Sequence, residues 1–223
     1  MLIGPDERAV TIPLEGGPDA LEGIYVAGRS GGAVIAPPHP LYGGSMDSPV
    51  LNELAWACSQ RGLASLRFNW RGVGASARTP SGTATDADAD YTSALEHLKQ
   101  TLPGSLLACG YSFGAGAAVR AGTREPLVDR LVLVSPPPAL LEPRDLEDFD
   151  GGILILTGEA DAIAPPGPLE ALRVSLGAVR LEVVPEADHF FGSGLAEISR
   201  RAARWLERED RPGKRPKGAR SEA

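Results

Sequence analysis

From residue 33 onward, short apolar runs alternate with longer amphipathic stretches, the pattern of a mostly parallel sheet with helices on its faces. Ahead of it, AVTIPL (9–14) and LEGIYVAG (21–28) have strand character with no helical stretch between them, which predicts an antiparallel hairpin leading into the sheet. GRSGG supplies glycines for a loop with positive φ before GAVIAPP (32–38). The regular part predicts a helix over 48–61, strand LASLRF (63–68), a helix over 86–101, strand SLLACG (105–110), a helix over 114–123 and strand RLVLVS (130–135). Strand GILILTG (152–158), a helix over 167–176, strand VRLEVVP (179–185) and a helix over 193–208 complete the order, about eight strands in all, with no internal repeat. One domain over 1–208 is expected. The remainder, 209–223, contains RPGKRPKGAR and is expected to be a disordered basic tail.

Composition narrows the class. Hydrophobic residues make up 43% and charged residues 23%, a soluble globular balance, and no apolar run reaches the roughly 18 residues of a membrane span. MLIGPDERAV lacks the basic-then-apolar order of a secretory signal, so a cytoplasmic location is expected. A net charge of −7 repels polyanions and argues against a nucleic-acid partner. Cys58 and Cys109 lie in apolar stretches, which predicts reduced buried thiols and no zinc site. DADAD (86–90) lacks the glycine and terminal glutamate of a calcium loop. It falls where a helix begins and carboxylates favour the dipole, so no metal is expected there.

The pattern G-x-S-x-G occurs twice, around Ser30 and around Ser112. A serine nucleophile on a strand-to-helix elbow needs a strand before it, a helix after it and small residues where the backbone crowds. Ser112 has all three: LLACG precedes it, AGAAVRAGT follows, and Gly110, Gly114 and Gly116 remove side chains at the crossing. Ser30 has a strand on each side and reads as a turn serine. The hydroxyl also needs a base and an orienting acid later in the chain, in the order Ser, Asp or Glu, His. His39 precedes the serine, and His97 in EHLKQ reads as an exposed helix histidine. His189 remains as the base, just past the last strand, at the sheet edge where sites on open parallel sheets collect. Asp161, in the loop after the preceding strand, fits the acid ahead of Glu159 and of Asp188, whose side chain would point away from its neighbour His189 on an extended loop. The N–H of Phe113, at a helix start beside the serine, is a donor for an oxyanion.

Five segments now stand in order: PPHPLYGGSMDSP (37–49), FNWRGVGAS (68–76), GYSFGAG (110–116), TGEADAIAPP (157–166) and EADHFF (186–191). On these the chain from about 8 to 208 resembles a small α/β-hydrolase, closest to the compact bacterial subgroup related to dienelactone hydrolases. An HPHP-x-x-GG loop and an FN-F-RGVG-x-S loop are usual there; Pro37 replaces the first His and Trp70 the second Phe. The resemblance implies the α/β-hydrolase fold, with helices on both faces of the sheet, and a Ser112, His189, Asp161 triad. It also implies a second oxyanion N–H on Leu41, with Tyr42 as the alternative, and no cofactor or metal. His39 is expected to order its loop, and Arg71 to lie at the site rim or to play a structural part.

About 16 residues (136–151) separate two strands where larger relatives carry a cap, too few for a folded lid. An open cleft lined by Leu41, Tyr42, Phe113, Phe190 and Phe191 is therefore expected, taking small ester or thioester substrates through an acyl-enzyme. Thioesterase, lactone hydrolase and peptidase chemistry would use the same residues. Dehalogenase and epoxide hydrolase relatives carry an aspartate where Ser112 stands, and a non-catalytic binding member of the fold would be signalled by a missing triad residue.

Overall fold

The computed structural model describes residues 6–177 and 179–209. Residues 210–223 of the expected tail lie outside them. The strands are β1 (Glu7–Pro13), β2 (Ala20–Val26), β3 (Gly32–Ala36), β4 (Ala64–Phe68), β5 (Leu106–Tyr111), β6 (Val128–Val134), β7 (Gly152–Gly158) and β8 (Val179–Val184). They form one eight-stranded sheet in the order β1-β2-β4-β3-β5-β6-β7-β8. β1 pairs antiparallel with β2 from Glu7 opposite Val26 to Pro13 opposite Ala20, and β2 pairs antiparallel with β4. Every pairing beyond is parallel.

The central strands read as continuous apolar runs because both of their faces are covered. In β3, Val34 and Ala36 enter one apolar cluster and Ala33 and Ile35 the other. The first cluster packs under α2 (Ala84–Thr101), α3 (Phe113–Gly122) and α5 (Pro166–Leu176), and the second under α1 (Pro49–Gln60) and α6 (Leu195–Glu209). Helices thus cover both faces. α2 starts two residues before the predicted 86, because the Thr83 hydroxyl accepts the Asp86 N–H at 3.2 Å and caps it. The DADAD carboxylates face arginines: Asp86 and Asp90 bind Arg71, and Asp88 binds Arg120.

The 136–151 connection holds a short helix the sequence pattern does not predict, α4 (Pro143–Glu147). Leu141 and Leu146 are buried in the α2–α3 cluster, so the segment packs down onto the body and forms no lid. Between β3 and β5 the winding direction reverses, since β4 lies on one side of β3 and β5 on the other. Ligand sites on open parallel sheets lie beyond the strand ends at such a point. The loops carrying His39 and Ser112 leave these two adjacent strands.

Candidate active site

Ser112 stands alone between the end of β5 and the start of α3, with φ 52° and ψ −117°. A side-chain-bearing residue at positive φ is strained, and such strain concentrates at functional sites. The elbow closes because its neighbours lack side chains. A Cβ on Gly110 would lie 2.2 Å from the Gly114 carbonyl oxygen, and one on Gly114 would lie 2.5 Å from that of Pro37. The other G-x-S-x-G serine, Ser30, sits in the bend between β2 and β3.

Three loops at one sheet edge bring Ser112, His189 and Asp161 together. His189 Nε2 lies 2.9 Å from Ser112 Oγ, and its Nδ1 lies 2.9 and 3.0 Å from the two Asp161 carboxylate oxygens. A carboxylate can only accept, so Nδ1 carries the proton and Nε2 is the acceptor facing the hydroxyl. Asp161 Oδ1 also accepts the Ile163 N–H at 2.9 Å and the Ala164 N–H at 2.7 Å. Burial pushes the Asp161 carboxyl up, but the bonds from His189 and Ala164 outweigh it and hold it below the usual carboxylate range. The competing carboxylates serve their own loops. Asp188 Oδ1 accepts the N–H groups of Phe190 and Gly192, both at 3.1 Å, and Glu159 accepts that of Glu186 at 3.0 Å.

Tyr111, which sequence reasoning missed, anchors the histidine loop. Its hydroxyl donates to the His189 carbonyl at 2.8 Å. Burial raises its pKa, and the nearby Asp161 and Asp188 charges raise it further, so it stays a protonated donor. Its place inside GYSFG was the available signal, since a large residue before the nucleophile must pack beside the site.

The cavity over Ser112 and His189 has a volume of about 540 Å³, with His39, Tyr42, Ile163 and Phe190 among its walls. Tyr42 and Phe190 lie where the sequence reading puts them, whereas Ile163 was missed. Phe191 corrects the reading: it is buried in the cluster under α1 and α6 and does not reach the cavity. At φ 54° its backbone turns the chain between two successive phenylalanines.

Leu41 needs correction as a preformed oxyanion donor. Its N–H donates to His39 Nδ1 at 3.2 Å, that of Tyr42 donates to the His39 carbonyl at 3.1 Å, and Leu41 does not line the cavity. The Phe113 N–H, first in α3, has no acceptor within its own helix. His39 orders its loop, with ring centroids 4.6 Å from Phe113 and 4.7 Å from Tyr42. Desolvation lowers its pKa and favours the neutral ring that can accept.

The two departures from the subgroup pattern meet each other. The indole N–H of Trp70 donates to the carbonyls of Pro37 and Pro38, at 3.2 and 3.0 Å, a bond no Phe could make. Arg71 is structural, with its guanidinium bound by Asp90 and Asp86 away from the cavity. His97 is half-buried on α2, where the sequence suggests exposure.

The comparisons with known proteins agree with this architecture. Residues 41–144 match the family described as serine aminopeptidase, S33, a span that includes Ser112 and ends before Asp161 and His189. An uncharacterized protein of Rickettsia prowazekii is 31% identical over 205 aligned positions, covering 82% of this chain and 83% of that one. Among solved structures, a candidate α/β-hydrolase of unknown function from Agrobacterium tumefaciens superposes with a TM-score of 0.82 at 28% identity, covering 90% of this chain and 95% of its own. An α/β serine hydrolase homologue from Coxiella burnetii does so with 0.77 at 26% identity, covering 92% and 99%. The chain belongs to the α/β-hydrolase family and is a hydrolase of the serine type. The lidless form recurs in a Xanthomonas campestris α/β serine hydrolase, which shares the fold at 24% identity and a TM-score of 0.78, covering 93% of this chain and 97% of its own.

Proposed function

We propose that the protein hydrolyses small carboxylic esters through an acyl-enzyme on Ser112. The observation that carries this reading is the 2.9 Å approach of His189 Nε2 to Ser112 Oγ, with Nδ1 held on Asp161. His189 takes the hydroxyl proton as Oγ attacks the ester carbonyl carbon. The Phe113 N–H, free of any acceptor within its own helix, meets the oxyanion. Asp161 supports the imidazolium, which protonates the departing alkoxide as the C–O bond breaks. Water, deprotonated by His189, then attacks the acyl carbonyl, and the acid leaves with Ser112 restored.

No metal or cofactor takes part in this scheme. The substrate is a small molecule, with neither nucleic acid nor membrane as a partner. Two free buried thiols, Cys58 and Cys109, fit a reducing cytoplasmic compartment. The description of the matched family favours peptide bonds as a second reading. Fluorophosphonate labelling combined with turnover of p-nitrophenyl esters and of aminoacyl p-nitroanilides tests both: ester turnover well above anilide turnover is expected, and the reverse order overturns the ester reading.

A further inference from the structure

The cavity that holds Ser112 is asymmetric in charge. Among the described residues no Lys or Arg lines it, and outside the His189–Asp161 pair the one formal charge on its wall is Asp47. Asp47 is exposed, and among the described residues no ion pair or donor engages its carboxylate; the one bond recorded for this residue runs from its backbone N–H to Ser45 Oγ. The α1 N-terminus also borders the cavity at Ser48 and Pro49 and has no side-chain cap. That end is equivalent to roughly half a positive charge, against a full negative one on Asp47, so the wall remains net negative. Two exposed aromatic side chains share the wall with the buried Tyr111: Tyr42 at 87% and Phe190 at 72% exposure. An unpaired carboxylate beside exposed aromatic rings is the chemistry that recognises ammonium groups, through charge attraction and the ring quadrupole.

We infer that Asp47, with Tyr42 and Phe190, makes this cavity select esters that carry an ammonium group and reject those that carry a carboxylate. This rests on the ester reading above and names its substrate class. The attraction is solvent-facing, so it favours a cation by about three- to tenfold over a neutral isostere, and it fades as salt screens it.

The test compares kcat/KM for acetylcholine with that for dimethylbutyl acetate, its neutral isostere. A parallel set uses p-nitrophenyl esters of trimethylammoniobutyrate, its tert-butyl isostere and hemiglutarate, covering the acyl side. The cation-to-neutral ratio is expected to exceed about three in at least one set, to shrink in about 0.5 M salt, and to collapse toward one in Asp47→Asn. Hemiglutarate is expected to be the poorest substrate of its set. Calorimetric binding of choline against dimethylbutanol, in wild type and Asp47→Asn, reads the same preference without turnover. Neutral esters hydrolysed with ratios near one in both sets would overturn the inference and leave the ester reading standing. If no ester is turned over, the ester reading falls and the binding comparison decides the charge preference by itself: an Asp47-dependent choline preference upholds ammonium selection by the cavity, and equal binding of the two ligands overturns it.

Discussion

The Leu41 N–H points at His39 Nδ1, 3.2 Å away, and not into the cavity over Ser112. A sequence pattern that assigns this N–H to an oxyanion therefore meets a site in which the donor already has a partner. The bond is local, spans two residues and caps a short turn, Pro40–Tyr42, so it fixes the direction of the Leu41 peptide. It requires a neutral imidazole with Nδ1 unprotonated, which the burial of His39 favours.

His39→Phe keeps a ring against Phe113 and Tyr42 but removes the acceptor, and His39→Asn restores an acceptor at nearly the same place. Losing a side-chain cap costs about 1 kcal/mol, so kcat is expected to fall about fivefold in His39→Phe with little change in KM, and to recover in His39→Asn. A rise in kcat for His39→Phe would show that the loop ordered by the His39–Leu41 bond restrains the site and does not support it.

Ser112→Ala is expected to abolish fluorophosphonate labelling and to lower kcat by at least about 10³. Ser30→Ala, which alters the other G-x-S-x-G match, is expected to label and turn over as wild type does. Labelling that survives in Ser112→Ala would move the nucleophile elsewhere.

The sheet and its elbow were legible because both obey periodic or steric rules. β3 and β5 are buried on both faces and so read as unbroken apolar runs, and Gly110 and Gly114 mark the place where β5, the Ser112 turn and α3 crowd together. The loops obey no such period. Phe190 and Phe191 are neighbours in sequence, yet a positive φ at Phe191 sends one to the cavity and the other to the core. α4 spans five residues, too short for a helical repeat to show. The His39–Leu41 bond depends on the backbone of a proline turn, which residue types alone do not specify.

Tyr111→Phe deletes a buried bond and leaves the His189 carbonyl without its donor. Stability is expected to fall by about 1–3 kcal/mol. Urea melts measure that loss, and kcat measured below the melting transition is expected to fall further than KM rises, because the loop that carries His189 loosens. An unchanged urea midpoint would rule out the anchoring role.

Asp161→Asn is expected to lower kcat by about 10⁴, as the imidazole loses its tautomer and its support, while Asp188→Asn retains most activity. The opposite order would move the acid to Asp188. Asp161 also links stability to pH. Its carboxyl in the folded protein lies below the ordinary 3.8 despite burial, because His189 and the Ala164 N–H hold the charged form. The stabilisation is therefore complete above about 3.8 and is lost as pH falls through the lower folded value. The stability gap between wild type and Asp161→Asn is expected to be widest near neutrality and to close in acid. A gap independent of pH would refute the linkage.

The last prediction concerns acyl length. Residues 136–151 pack Leu141 and Leu146 onto the body, and nothing from that segment folds over Ser112. The apolar side chains at the mouth remain in water, with Ile163 at 50% and Phe190 at 72% exposure. Each methylene removed from water adds about 0.8 kcal/mol, or about fourfold in kcat/KM, but only while a wall remains to cover it. Beyond the cavity of about 540 Å³, further carbons stay solvated and add nothing. The kcat/KM for p-nitrophenyl esters is therefore expected to peak at short acyl chains, roughly two to six carbons, and then to level or fall. With no lid to displace, crossing the micelle threshold of the substrate is expected to leave the rate curve smooth. A steady rise to long chains, or a jump at that threshold, would mean that some segment closes over the acyl group.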